Sequence, residues 1–233
     1  MNPLSSTTLP SIFATCGIIF DFDGVIVDSL PAHIKAWEMA AFNLFAKNLV
    51  QSQRFIGLST HSIANLITSE LGNKSKSRQL VSEKNRILLH DEVEVPLLPG
   101  IESLLQELIS LEIPYGLASN APRDFIEQQL ENHSLEFKII FGRGEGGRNK
   151  PHPDVFLRCA KELKLTIIDQ RNTLIFEDSK HGLTAAKRAN MVPVGICTQH
   201  SSEELLDSGA RLTYKDLADF MKHTKLTKLP STH

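Results

Sequence analysis

The chain has 233 residues, 41% hydrophobic and 22% charged, an ordinary globular composition with room for one large core or for a core and a smaller companion. A formal net charge of −2 gives no basic field for nucleic acid or an anionic membrane, and no stretch reaches the roughly 18 apolar residues of a membrane span, so a small charged ligand is the better match. Cys16, Cys159 and Cys197 form no CxxC pair, and the N-terminus has neither a basic start nor a sustained apolar run; buried thiols, no signal peptide and a cytoplasmic location are expected.

Residues 1–15, rich in Ser, Thr and Pro, read as a flexible arm. GIIFDF, from Gly17, is apolar on both faces, as a strand inside a parallel sheet is. From Leu30 the period becomes helical: Ile34, Trp37, Ala41 and Phe45 share a face, with Ser29 placed to cap and Pro31 in the first turn. Ile63, Leu66, Ile67 and Leu71 form a second stripe and Leu80, Ile87 and Leu88 a third, with no convincing strand before Pro96. Beyond PLLPG the chain alternates. The helix of Ile101, Leu104, Leu105, Leu108 and Leu111 leads to the strand IPYGLAS, and that of Phe125, Ile126 and Leu130 to FKIIFG. The helix of Val155, Phe156, Cys159, Ala160 and Leu163 leads to NTLIFED, and that of Leu183, Ala186 and Ala189 to VPVGIC; a last strand falls near Arg211 to Thr213. The terminal KHTKLTKLPSTH reads as a frayed basic tail. This alternation predicts an α/β fold, a doubly wound (Rossmann-like) parallel sheet with right-handed crossovers. Residues 16–29 and 94–233 form its core, and the all-helical 30–93 is inserted as a cap domain.

Ligands of such sheets bind beyond the carboxyl ends of the strands. The sequence places Asp21 and Asp23, Ser119 and Asn120, and Glu177 and Asp178 there, and Lys150 of NKPHPD precedes the helix leading to the strand that ends at Glu177. Carboxylates at the end of a buried strand repel one another and lose solvation unless something compensates them. Asp21 and Asp23, two apart, share a side of an extended strand, and the Asp23 carbonyl serves if the strand curls. With Asp178 and waters they make the oxygen set of a hard octahedral ion, so Mg²⁺ is expected, with a phosphate as the second guest. FGRGEGGRNK lacks the Gly-Lys-Ser/Thr of a P-loop, and the nine histidines show no HExxH spacing, which argues against nucleotide and zinc sites of those kinds.

DFDGVIVDS, LASN, the lysine of KPHPD and FEDSKHG occur in that order at strand ends, and together they resemble the four motifs of the haloacid dehalogenase superfamily of phosphotransferases. The resemblance covers nearly the whole chain and is to the branch with a helical cap after the first motif, which contains β-phosphoglucomutase and phosphoglycolate-type phosphatases. It implies a two-step phosphoryl transfer. Asp21 is then the nucleophile that forms an aspartyl phosphate, and Asp23 the acid that protonates the leaving oxygen and later deprotonates water. Ser119 and neighbouring amides bind the phosphoryl oxygens, and Lys150 neutralises their charge. Asp178 holds Mg²⁺ beside Asp21 and Asp23, with Glu177 as an alternate ligand or a support. Gly24 and Asn120 are placed with the substrate. On the cap, His33 and the loop RFIGLST meet the substrate through Gly57 and either Arg54 or Thr60.

The resemblance implies a phosphatase for a small phosphorylated metabolite, with no nucleic-acid or membrane partner and a monomer by default. A phosphomutase remains open, although SNAP at residues 119–122 is closer to the phosphatase pattern, the mutase pattern usually placing a lysine soon after the serine. Asp23 counts against a dehalogenase, and a phosphonate hydrolase would need a cap lysine such as Lys35. A non-enzymatic binding protein on the same scaffold is the third reading. Simpler structural roles also exist: Asp28 as a capping or hinge residue, Ser119 as the cap of the helix after Pro122, and His33 as an ordinary helix-rim residue.

Overall fold

The computed structural model describes residues 11–49, 55, 58–90 and 93–230. In chain order the elements are β1 (Ser11–Thr15), β2 (Gly17–Phe20), α1 (Leu30–Phe45), α2 (Thr60–Glu70), α3 (Ser77–His90), α4 (Ile101–Ser110), β3 (Tyr115–Ala118), α5 (Arg123–Asn132) and β4 (Ile140–Phe141). They continue with α6 (Asp154–Glu162), α7 (Ile167–Gln170), β5 (Thr173–Glu177), α8 (Lys180–Arg188), β6 (Val192–Ile196), α9 (Ser202–Asp207), β7 (Leu212–Tyr214), α10 (Leu217–His223) and β8 (Thr224–Lys228).

Six strands form one all-parallel sheet in the order β4-β3-β2-β5-β6-β7, the doubly wound α/β architecture that the alternation predicts. Alternation along each strand sorts the core into two faces. Ile19 of β2 and Ile175 of β5 turn to one face, where Phe156, Cys159 and Ala160 of α6 and Ala185 and Ala186 of α8 cover them. Phe20 and Phe176 turn to the other, stacked at 5.4 Å between ring centroids. Phe137 meets Phe20 edge-on at 6.0 Å, and Phe220 meets Phe176 at 4.8 Å. The chain leaves β2 to build β3 and β4 on one flank and β5 to β7 on the other, so the order reverses at β2, where doubly wound sheets bind ligands.

The chain divides into two compact units, one of residues 1–26, 98–120 and 137–233, the other of residues 27–97 and 121–136. The second unit is helical and holds α1, α2, α3 and α5. Within it α1 buries Ala32, Ala36, Trp37, Ala40 and Ala41, whereas Ile34 and Phe45 of the expected stripe are only half-buried. α3 packs against α1 with Leu80, Ile87 and Leu88 buried. Ser29 precedes α1 as expected, but its side chain makes no capping hydrogen bond. The amide of Asp28 donates to the Pro96 carbonyl at 2.8 Å, and Val27 and Leu97 form an antiparallel bridge, so the segments entering and leaving this unit run side by side.

Both chain ends differ from expectation. Residues 11–15, read as part of an arm, are strand β1, paired in parallel with β8 from Ser11↔Thr224 to Thr15↔Lys228. The supposed frayed tail therefore contributes β8, with Thr224 and Leu226 buried. Cys16, Cys159 and Cys197 are free thiols, the first two buried. Among the described residues no helix is long and apolar enough to cross a membrane.

Candidate active site

The Asp21 amide donates to the Phe176 carbonyl at 2.9 Å, which carries the β2–β5 ladder one step past Phe20↔Phe176 and sets Asp21 beside Glu177. Both follow the parity of Ile19 and Ile175. Lys150 reaches the same place from the segment before α6, its ammonium 4.8 Å from the centroid of the Phe156 ring. Its Nζ lies 2.6 Å from Glu177 Oε1 and 2.9 Å from Asp21 Oδ1. The shorter, well-aligned hydrogen bond goes to Glu177, and Asp21 Oδ1, removed from solvent, meets the ammonium at poorer alignment.

Asp21, Glu177 and Asp178 are all buried, and each offers one carboxylate oxygen within 4.8 Å of the others. Burial, then the Glu177 charge, pushes Asp21 from the ordinary 3.8 to about 7 against the pull of Lys150. Burial, then Glu177, Asp21 and Asp23, holds Asp178 well above the carboxylate range. Burial alone would discharge Lys150, but the Asp21 and Glu177 carboxylates outweigh it and keep the ammonium charged.

Among the described residues three buried carboxylates thus share one ammonium, and one of their oxygens has no well-aligned hydrogen bond. A divalent cation fits both facts, and the all-oxygen donor set suits Mg²⁺. Asp23 is half-buried and its carboxylate stands outside the group of three, although its charge is felt by Asp21 and Asp178.

Glycines allow this crowding. Gly24 has φ +71°, and a Cβ there would overlap the Asp178 carboxylate. A Cβ on Gly182 would overlap that of Glu177. Ser119 is buried, its amide donating to the Phe141 carbonyl at 2.9 Å; the N-cap of α5 is Pro122, so Ser119 is not its cap. Asn120 is tied to Lys150: its Oδ1 accepts from the Lys150 amide at 3.2 Å, and its carbonyl accepts from Arg143 Nε at 2.8 Å.

Of the residues expected on the cap, His33 lies half-buried on α1 with its ring 5.7 Å from that of Phe125, and Thr60 opens α2. Arg54 and Gly57 lie outside the described residues.

Four contributors were not foreseen. The Ser179 amide and hydroxyl donate to Glu177 Oε2 at 3.1 and 2.8 Å, and Ser179 Oγ also caps α8 by accepting from the Gly182 amide at 3.0 Å. Gln199 Nε2 donates to Asp178 Oδ2 at 2.9 Å, and the Thr198 hydroxyl donates to the Gly24 carbonyl at 2.8 Å. Ser179 and Gly182 lie inside FEDSKHG, and Thr198 and Gln199 directly follow VPVGIC, so asking what every strand ends on, β6 included, would have found the last pair.

Residues 18–223 match the family model of haloacid dehalogenase-like hydrolases. The chain is 31% identical to β-phosphoglucomutase of Bacillus subtilis over 77% of its own length and 82% of that protein's. It is 29% identical to hexitol phosphatase B of Escherichia coli K12, over 85% of this chain and 95% of the other. A crystal structure of β-phosphoglucomutase from Clostridium difficile superposes with a TM-score of 0.66 at 28% identity, covering 87% of this chain and 92% of that one. The carboxylate cluster, the lysine locked into it and the match along almost the whole chain agree: the protein belongs to the haloacid dehalogenase-like hydrolases and is an enzyme of the phosphoric monoester hydrolase class.

Proposed function

We propose that the protein is a Mg²⁺-dependent phosphatase that hydrolyses a small phosphorylated metabolite through an aspartyl phosphate on Asp21. The observation that carries this reading is the buried group of Asp21, Glu177 and Asp178 around Lys150 at the carboxyl edge of the sheet. Asp21 and Asp178, with Glu177 or the Asp23 carbonyl, would hold Mg²⁺, which supplies positive charge where an anionic phosphate must approach an anionic nucleophile.

The chain's own groups do the rest. An Asp21 oxygen attacks phosphorus, the ester P–O bond breaks, and Asp23 gives its proton to the leaving oxygen. Asp23 then takes a proton from water as the water oxygen attacks the acyl phosphate, releasing inorganic phosphate and restoring Asp21. Lys150 and Ser119 bind the transferring phosphoryl oxygens, and Glu177 keeps Lys150 in place. The helical segment 30–93 acts as a cap that selects the substrate, with His33 and Thr60 as contributors. Free, largely buried thiols support a cytoplasmic setting.

The test is phosphate release from sugar phosphates, phosphoglycolate and nucleoside monophosphates, with and without Mg²⁺, for wild type and Asp21→Asn. Release that requires Mg²⁺ and disappears in Asp21→Asn is expected; undiminished release by Asp21→Asn would refute the covalent route. Similarity to the Bacillus subtilis β-phosphoglucomutase favours a second reading in which a sugar hydroxyl replaces water as acceptor. Turnover of a hexose phosphate only with a sugar bisphosphate activator would select it.

A further inference from the structure

Among the described residues Asp178 is held at one carboxylate oxygen. Its Oδ2 accepts the Gln199 amide at 2.9 Å, and the Thr198 hydroxyl lies 3.4 Å from the same oxygen. That hydroxyl has one proton, and the shorter contact, 2.8 Å to the Gly24 carbonyl, takes it. The Gly24 backbone packs so closely on Oδ2 that no Cβ would fit between them. Among the described residues no hydrogen bond reaches Asp178 Oδ1. Thr198 and Gln199 belong to the segment just after β6, whereas Gly24 follows Asp23 in the turn after β2, so two loops distant in sequence are tied at this carboxylate.

We propose that Thr198 and Gln199 are positioning residues that orient Asp178 for the cation, Gln199 by holding Oδ2 so that Oδ1 is presented to it, and Thr198 by fixing the turn that carries Asp23 and Gly24. This rests on the metal-dependent reading above. A neutral amide suits the task because it orients the carboxylate without cancelling its charge, as a lysine or arginine would. Gln199 is half-buried and Thr198 exposed, so neither position is needed to fill the core.

The experiment is titration of the full chain with Mg²⁺ by calorimetry, alongside turnover of p-nitrophenyl phosphate against Mg²⁺ concentration. Gln199→Met keeps the length of the side chain and removes the donor. It is expected to weaken Mg²⁺ binding about 10- to 100-fold, while kcat recovers at saturating Mg²⁺ and the melting temperature holds. Thr198→Val is expected to weaken Mg²⁺ binding as well, and Thr198→Ser to restore it. Equal Mg²⁺ affinity in Gln199→Met and wild type would overturn the proposal and leave the phosphatase reading intact. Mg²⁺ binding that depends on Gln199, with no phosphate released from any ester, would overturn the phosphatase and leave the positioning role. Wild type that binds no Mg²⁺ would overturn both.

Discussion

Replacing Gly182 by alanine sets helix propensity against the packing of the site. Gly182 lies in the first turn of α8 without a positive φ, so propensity alone says that Gly182→Ala stabilises by about 0.8–1 kcal/mol. The new methyl would overlap the Glu177 carboxylate. A carboxylate at the end of a free side chain would swing away at little cost, but this one is fully buried, bonded to Lys150 at 2.6 Å and to the Ser179 amide and hydroxyl at 3.1 and 2.8 Å. Separating a buried pair costs about 3–5 kcal/mol, which leaves a net destabilisation of roughly 2–4 kcal/mol after the helix gain. For a chain of this size that is a fall in Tm of about 4–16 °C, read by scanning calorimetry without metal. A double-mutant cycle with Glu177→Ala should show strong coupling, because the methyl has room once the carboxylate is gone. An unchanged or raised Tm in Gly182→Ala, or additive costs in the cycle, would refute the view that Glu177 is locked.

Two other outcomes follow from the same geometry. Asp21 is raised to about 7 chiefly by burial, so between about pH 4 and 7 the metal-free folded chain binds more protons at this group than the unfolded chain, and this contribution to stability falls as pH rises through that window. Mg²⁺ competes with that proton, so the rise in Tm on adding Mg²⁺ should be larger at pH 8 than at pH 5; an equal rise at both would disprove the link. Leu226→Ala should cost about 2–4 kcal/mol in urea denaturation, because Leu226 is buried where β8 pairs with β1. A frayed tail would show no change.

The sheet and the strand-end residues were legible because both follow from local pattern. Runs apolar on both faces declared the inner strands, and polar residues where such runs stop declared the edge at which Asp21, Glu177 and Asp178 come together. Pairing between distant segments left a weaker trace. Thr224 and Leu226 do alternate with exposed Lys225, but Lys228 on their own side is exposed as well, and five residues among lysines and threonines become a strand only when residues 11–15 lie alongside, more than two hundred positions earlier. On α1 Trp37 and Ala41 of the expected stripe are buried, but the buried face also runs through Ala32, Ala36 and Ala40, small residues that a pattern of large apolar side chains does not show.

The contacts to the acids follow the same division. Register in the sheet pairs Glu177 with Gly195, so the edge reached by Asp178 is also the edge reached by Ile196, one residue before the segment that holds Thr198 and Gln199. Strand parity and register can bring those residues to one edge, and a sequence carries both. Whether Gln199 then reaches back to Asp178 or out into solvent depends on the turn at Cys197 and Thr198, where the Thr198 amide donates to the Ile196 carbonyl at 3.0 Å and its hydroxyl donates to Gly24. The Thr198 hydroxyl ties that turn to the Gly24 carbonyl, so the loop after β6 is held to the loop after β2. The acids of such a site can be read one strand at a time, whereas the residues that aim them are defined only by pairs of loops.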